Sequence, residues 1–234
     1  MPGKDRLLLV SHPHHLVRKS HGNEPIFMDD ADYSHCLGLI RELSEKYSLS
    51  VHAYCLLPDR IHIIATPHGH PTDLSTFMKA LSCRTSLRRK NLHGRSSAWE
   101  VRYRSSPVEP GQWLLASIRY VERLPVIHGL VSSAYHYHLS SYRMRLGKTD
   151  HYWLDDPEEY ARLGNTIEER AEAYRTYMSI GLDRSEETMI DTAVRRCRLT
   201  GSVRFVREVY REYGVLGINR GPGRPRKRRK MPDS

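Results

Sequence analysis

The sequence has no long apolar run. Nowhere in its 234 residues is there a stretch near the roughly 18 apolar residues that a membrane helix needs, which sets aside a membrane-spanning protein. Leu7 to Val10, near the N-terminus, is only four residues long, too short for the core of a signal peptide. Cysteine is scarce. Cys36, Cys55, Cys83 and Cys197 stand far apart, with no Cys-x-x-Cys pair. That spacing argues against a zinc ribbon or a disulfide framework and suits a reducing cytoplasm. Hydrophobic residues make up only 39%, and mean hydropathy is −0.60, so either the surface is very polar or part of the chain is unfolded. The length still allows one ordinary domain with appendages, or two small domains.

What is abundant is positive charge, +10 net, and its placement says more than its size. Residues 195–230 hold 13 Lys/Arg against 2 Asp/Glu, whereas residues 1–194 balance at 24 of each. Within that neutral part, residues 79–104 hold eight bases against one acid, and residues 150–191 hold twelve acids against four bases. Two basic zones joined by an acidic connector point to a polyanion partner.

Periodicity gives the elements. Residues 6–19 read as extended, and Asp29 and Asp30 open a helix to about Tyr47, with Cys36, Leu37, Ile40 and Leu43 at helical spacing. Ser50 to Leu57 and Arg60 to Thr66 form a hairpin about Pro58-Asp59. Thr72 or Asp73 caps a helix to about Leu92. Ala98 to Val108 reads as a strand, and Gln112 to Arg123 as a helix stopped by Pro125. The resulting order predicts an α+β fold with a ferredoxin-like β-α-β-β-α-β core and an antiparallel sheet. One layer of helices would cover the sheet and leave its other face free for a ligand. The predicted organisation is a core domain over 1–145, a helical, DNA-contacting extension over 146–216, and a disordered basic tail over 217–234. Short helices are expected near 155–164, 166–180, 184–198 and 202–213, with Ser202 as an N-cap.

The hairpin His52-Ala53-Tyr54-Cys55-Leu56-Leu57-Pro58-Asp59-Arg60-Ile61-His62-Ile63-Ile64 resembles the signature of the single-strand tyrosine transposases, especially the REP-associated tyrosine transposases of bacteria. Other blocks agree in order: His15 to Lys19 with Gly22-Asn23 and Pro25 to Phe27, Trp99-Glu100 with Arg102 to Ser106, Leu114-Leu115 with Arg119 to Glu122, and Ser140-Ser141-Tyr142. The resemblance implies a mechanism in which a His–hydrophobe–His strand and a polar residue one helical turn after the nucleophile hold a divalent metal, Mg²⁺ or Mn²⁺. The metal polarises a phosphate of single-stranded, hairpin-forming DNA, and a tyrosine attacks it to form a 5′-phosphotyrosine. Tyr120 occupies the nucleophile position and His62 one metal-ligand position. The other two ligand positions hold Arg60 and Leu124. Arginine stays protonated and offers no lone pair, and leucine cannot ligate. A fixed +1 charge at ~4 Å from a +2 ion repels it by roughly 8 kcal/mol at an effective dielectric of 20. The metal is therefore expected to be weak or lost and strand cleavage impaired, with Arg60 placed to grip the scissile phosphate instead. Two alternatives stay open: an active transposase with an altered or metal-free site, and a nucleic-acid-binding regulator without catalysis.

The remaining histidines do not rescue the site on this reading. His68 and His70 would lie roughly 20–26 Å beyond the ligand end of the strand. His52 is expected on the opposite face, and His12, His14, His15, His136 and His138 at the surface or in loops. Arg84, Arg88, Arg89, Lys90, Arg102 and Arg104 are the further candidates for DNA contact. In the tail, Arg224, Pro225, Arg226 and Lys227 resemble an AT-hook suited to A·T-rich duplex. No dimer motif is visible, so monomer and homodimer both remain open.

Overall fold

The computed structural model describes residues 6–96, 99–149 and 152–214. The core elements are β1 (His14–Lys19), α1 (Asp30–Lys46), β2 (Leu49–Leu57), β3 (Arg60–Pro67), α2 (Asp73–His93) and β4 (Arg104–Pro107). The sheet order is β2-β3-β1-β4 and every pairing is antiparallel, which is the ferredoxin-like arrangement. The chain continues through α3 (Gln112–Ile127), α4 (Tyr142–Arg145), α5 (Glu158–Ala161), α6 (Ile167–Ile180), α7 (Arg184–Arg195) and α8 (Val203–Tyr213).

Local chemistry fixes the boundaries. The Asp29 side chain accepts the Asp32 amide and starts α1, and Gly94, at φ +64°, ends α2 in the left-handed conformation. Thr166 and Glu169 form a reciprocal capping box on α6, and the Ser202 hydroxyl caps α8 through the Phe205 amide. The loop Pro58-Asp59 leaves Leu57 opposite Arg60 and Cys55 opposite His62.

Strand alternation sorts side chains onto two faces. Leu16, Leu56, Ile61 and Ile63 meet Ile40 and Leu43 of α1 and Phe77 and Leu81 of α2. Ala53, Cys55, Leu57 and Ile64 lie on the other face. That second face is not free, contrary to the sequence expectation. Ile118 and Val121 of α3, Tyr142, Tyr174 and Ile190 cover it. The helices after β4 bury their apolar stripes here, because no other sheet surface is left to receive them. Only one end of the face stays open, as a cleft.

Two further boundaries differ. The strand predicted over Ala98 to Val108 shortens to β4, preceded by one isolated bridge between Ser20 and Trp99. The chain leaves the ladder so that Tyr103 can bury itself against α2 and bond Ser75 (2.8 Å), which leaves Arg102 exposed and outside the strand. Helix α3 runs through Pro125 to Ile127. Proline removes one donor, but the last turn is retained by the His128 amide on the Leu124 carbonyl (2.8 Å).

Candidate functional site

A cleft of about 680 Å³ opens at the uncovered end of the second face. Lys19 of β1, Arg60 and His62 of β3, Arg104 of β4, and Tyr120 and Leu124 of α3 line it from the core. Period-two alternation places Arg60 and His62 on one face of β3, and one helical turn separates Tyr120 from Leu124. Glu187, Thr188, Asp191 and Arg195 of α7 close the remaining side.

The Arg60 guanidinium is held in place by its neighbour. Nε donates to Asp59 Oδ1 (2.9 Å) and Nη2 to Oδ2 (2.7 Å), a two-pronged pair that raises the Arg60 pKa above its ordinary value. Nη1 has no part in that pair.

His62 is buried and shares a hydrogen bond with His15 of β1, Nδ1 to Nε2, at 2.9 Å. His62 Nε2 and His15 Nδ1 have no partner. The two imidazoles lie with centroids 5.2 Å apart, and the Tyr120 ring meets His15 edge-on at 5.9 Å. His14 is fully buried as well, taking the Leu9 amide on Nε2 (3.0 Å) and placing Nδ1 on the His12 carbonyl (2.8 Å). His14 and His15 are therefore not surface residues, because they sit on the central strand β1. His52 does not follow the simple alternation either. An irregularity between Val51 and Ala53 resets the strand, and His52 bonds Thr66, which has the parity of His62 but lies four residues farther along β3.

Burial lowers the His14 pKa from 6.5 to about 4 and that of His15 to about 3. The folded chain thus keeps both neutral where the unfolded chain takes up protons. Their contribution is complete above the unfolded pKa, near 6.5, and is lost as pH falls toward 4 and 3. Urea unfolding at pH 5.0 should show about 2 kcal/mol less stability per histidine than at pH 7.5, and His15→Phe should remove its own share of that slope. Equal stability at the two pH values would contradict the neutral, buried pair.

Tyr120 is only 5% exposed, and its hydroxyl donates to Asp191 Oδ1 at 3.4 Å. Burial first, and then the Asp191 carboxylate, push the phenol pKa well above 10.

The donor set does not fit a metal held as the resemblance implies. Of the three positions only His62 offers a lone pair, since Arg60 is a cation and Leu124 a hydrocarbon. Among the described residues, Asp29, Asp32 and His93 are the one group of three whose ligand atoms all lie within 4.8 Å of one another. They lie at α1 and α2, away from the cleft. There Asp32 already accepts from Arg88 (2.7 Å), His93 (3.0 Å) and the Met28 amide (3.0 Å).

The basic end of α2 is committed to the fold. Arg84 pairs with Glu42, Arg88 with Asp32 (2.7 Å), and Arg89 with Glu24 (3.6 Å) while also donating to the Ser96 carbonyl (2.6 Å). Lys90 lines a separate groove with Arg18 and Trp99. The structure thus gathers Arg60, Arg104, His62, Tyr120 and Leu124, and keeps the α2 arginines apart from them. Arg224, Pro225, Arg226 and Lys227 lie outside the described residues. Lys19, His15, Glu187, Asp191 and Arg195 were not foreseen. The parity of β1 against β3 held a signal for His15 and Lys19, whereas α7 reaches the cleft by a contact 71 residues away in sequence.

Residues 10–123 match the model of the IS200-like transposases. The core over those residues, just under half of the chain, is similar to that family. A solved REP-associated tyrosine transposase bound to a REP hairpin shares the fold. It is 16% identical at a TM-score of 0.55, and the match covers 67% of this chain and 93% of that one. A putative transposase from Deinococcus radiodurans is 19% identical at a TM-score of 0.35, over 46% of this chain and 86% of that one. A comparison with curated proteins finds no match. Every cleft residue from α7 lies beyond the stretch matched by the transposase model. Among the described residues, no helix is long and apolar enough to cross a membrane.

Proposed function

We propose that this transposase-like chain binds hairpin-forming single-stranded DNA, seating one phosphate in the cleft without a metal, and does not carry out metal-dependent strand cleavage. The observation that carries the reading is the guanidinium of Arg60. It stands at a former ligand position, braced by Asp59, in the same cleft as Tyr120 and His62. A guanidinium binds phosphate through directed hydrogen bonds and brings its own positive charge. Lys19, Arg104 and Arg195 add cations around the same seat. His62 lines the same cleft, and its unpartnered Nε2 lies buried in the cleft wall. In the tail, Arg224, Pro225, Arg226 and Lys227 would add salt-sensitive contacts to phosphates or to an A·T-rich minor groove.

The test is fluorescence anisotropy with a labelled DNA hairpin, an unstructured strand of the same composition, and an RNA version of the hairpin. The DNA hairpin should bind tightest, with the same affinity in Mg²⁺ and in a chelator. Equal binding to the unstructured strand, or loss of binding in chelator, sinks the proposal. Preference for RNA would favour the regulator, because only RNA offers the 2′-hydroxyl.

A further inference from the structure

The acidic connector, residues 150–191, is at odds with a protein that binds a polyanion. Its last member is Asp191, and Asp191 sits in the cleft. Its two carboxylate oxygens are both used. Oδ1 accepts the Tyr120 hydroxyl at 3.4 Å, and Oδ2 accepts Arg195 Nη1 at 3.3 Å. A phenol and a guanidinium are also the partners a phosphodiester oxygen would seek. A carboxylate resembles a phosphodiester in carrying one negative charge over two acceptor oxygens. Glu187, one helical turn earlier on α7, lines the same cleft.

Two other cations of the cleft are similarly answered from within the chain. Arg60 pairs with Asp59, and Arg104 with Glu100 (3.2 Å). Helix α7 is docked rather than adrift, since Ile190, Ala193 and Val194 are buried and Glu186 pairs with Arg119 of α3 at 3.2 Å. It follows a break in the helices at Gly181, which has φ +75°.

Resting on the reading of the cleft as a phosphate site, we infer that α7 is an internal occupant of that site: Asp191, backed by Glu187, takes the place of the phosphate, and a nucleic-acid phosphate enters only by displacing it. The cleft is thereby held against loosely bound anions. A hairpin that makes many contacts at once can supply the displacement, whereas a single phosphate cannot.

The test uses the full chain, Asp191→Asn with Glu187→Gln, and two probes, the labelled DNA hairpin and inorganic pyrophosphate. Asparagine keeps the shape and the acceptor for Tyr120 while removing the charge. A second variant, Glu168→Gln with Glu172→Gln on α6, makes the same change in net charge outside the cleft. The inference expects the α7 variant to bind both probes at least about tenfold tighter than the natural chain, and the α6 variant to differ little from it. Equal tightening in the two variants would reduce the effect to net charge and overturn the inference. So would unchanged affinity of the α7 variant. If pyrophosphate binding tightens while no form binds the hairpin, the internal occupant stands and the hairpin reading fails. If the natural chain binds the hairpin and the α7 variant gains nothing with either probe, the reading stands and the inference fails. If no form binds either probe, both fail.

Discussion

Glu122→Ala is expected to cost about 3–5 kcal/mol of folding stability, the penalty for breaking a buried ion pair on one side. Glu122 lies on α3, two residues after Tyr120, and is fully buried. Its Oε1 accepts from Ser141 (2.6 Å) and from Arg145 Nε (3.1 Å), and its Oε2 accepts from Tyr174 (2.7 Å). Arg145 is buried to the same degree. It also reaches Asp156 (3.1 Å) and the His52 carbonyl, and its guanidinium lies 4.6 Å from the centre of the Tyr160 ring. Burial pushes the Glu122 carboxyl up, and the Arg145 charge and the two hydroxyls pull it back. Alanine would strand a buried guanidinium and two buried hydroxyls together. Domains carry a net stability of only about 5–15 kcal/mol, so this one change removes a large fraction. The thermal midpoint should fall by roughly 6–20 °C in a chain of this size. The double change Glu122→Leu with Arg145→Met should recover much of the loss, because it leaves no fully buried charge behind, Asp156 being partly open to solvent. Urea denaturation of the three forms decides the matter. A loss below about 1 kcal/mol for Glu122→Ala would show that the network does not hold α3 to the extension.

Arg60→Ala should weaken hairpin binding by about 10- to 100-fold, the worth of a charged hydrogen-bond pair at a phosphate. The substitution also leaves Asp59 without its partner and so turns the local field against the ligand. Arg60→Lys keeps the charge but loses the two-pronged geometry, and it should fall between the two. Arg84→Ala, with its guanidinium paired to Glu42 outside the cleft, should change affinity little. Anisotropy titrations at fixed salt measure all four proteins. If Arg60→Ala binds like the natural chain, the phosphate is not held there.

The core was legible because its signals are local. Alternating apolar residues on either side of Pro58-Asp59, the Asp29 cap and the spacing of Cys36, Ile40 and Leu43 all act within a few residues of one another. Strand parity alone put Arg60 beside His62, and helical spacing put Leu124 after Tyr120. What the sequence hid depends on distant contacts. Nothing near residue 191 tells that α7 returns to the sheet, so the second face looked free. His15 looked like a surface residue because its partner, His62, is 47 positions away. The arginines of α2 looked available for DNA because Glu42, Asp32 and Glu24 pair with them only across helices α1 and α2 or from the preceding loop.

On the proposed reading, the cleft of this transposase-like core holds phosphate through Arg60 and does not support metal-dependent cleavage. The most direct test of that claim is a covalent-adduct assay on labelled single-stranded DNA hairpins, with Mg²⁺ or Mn²⁺, resolved on denaturing gels. The natural chain should give no protein–DNA band, and Arg60→His with Leu124→Asn should give one that disappears when Tyr120→Phe is added. A Tyr120-dependent band from the natural chain would contradict the claim and show a live nucleophile in a site without the family's ligand set.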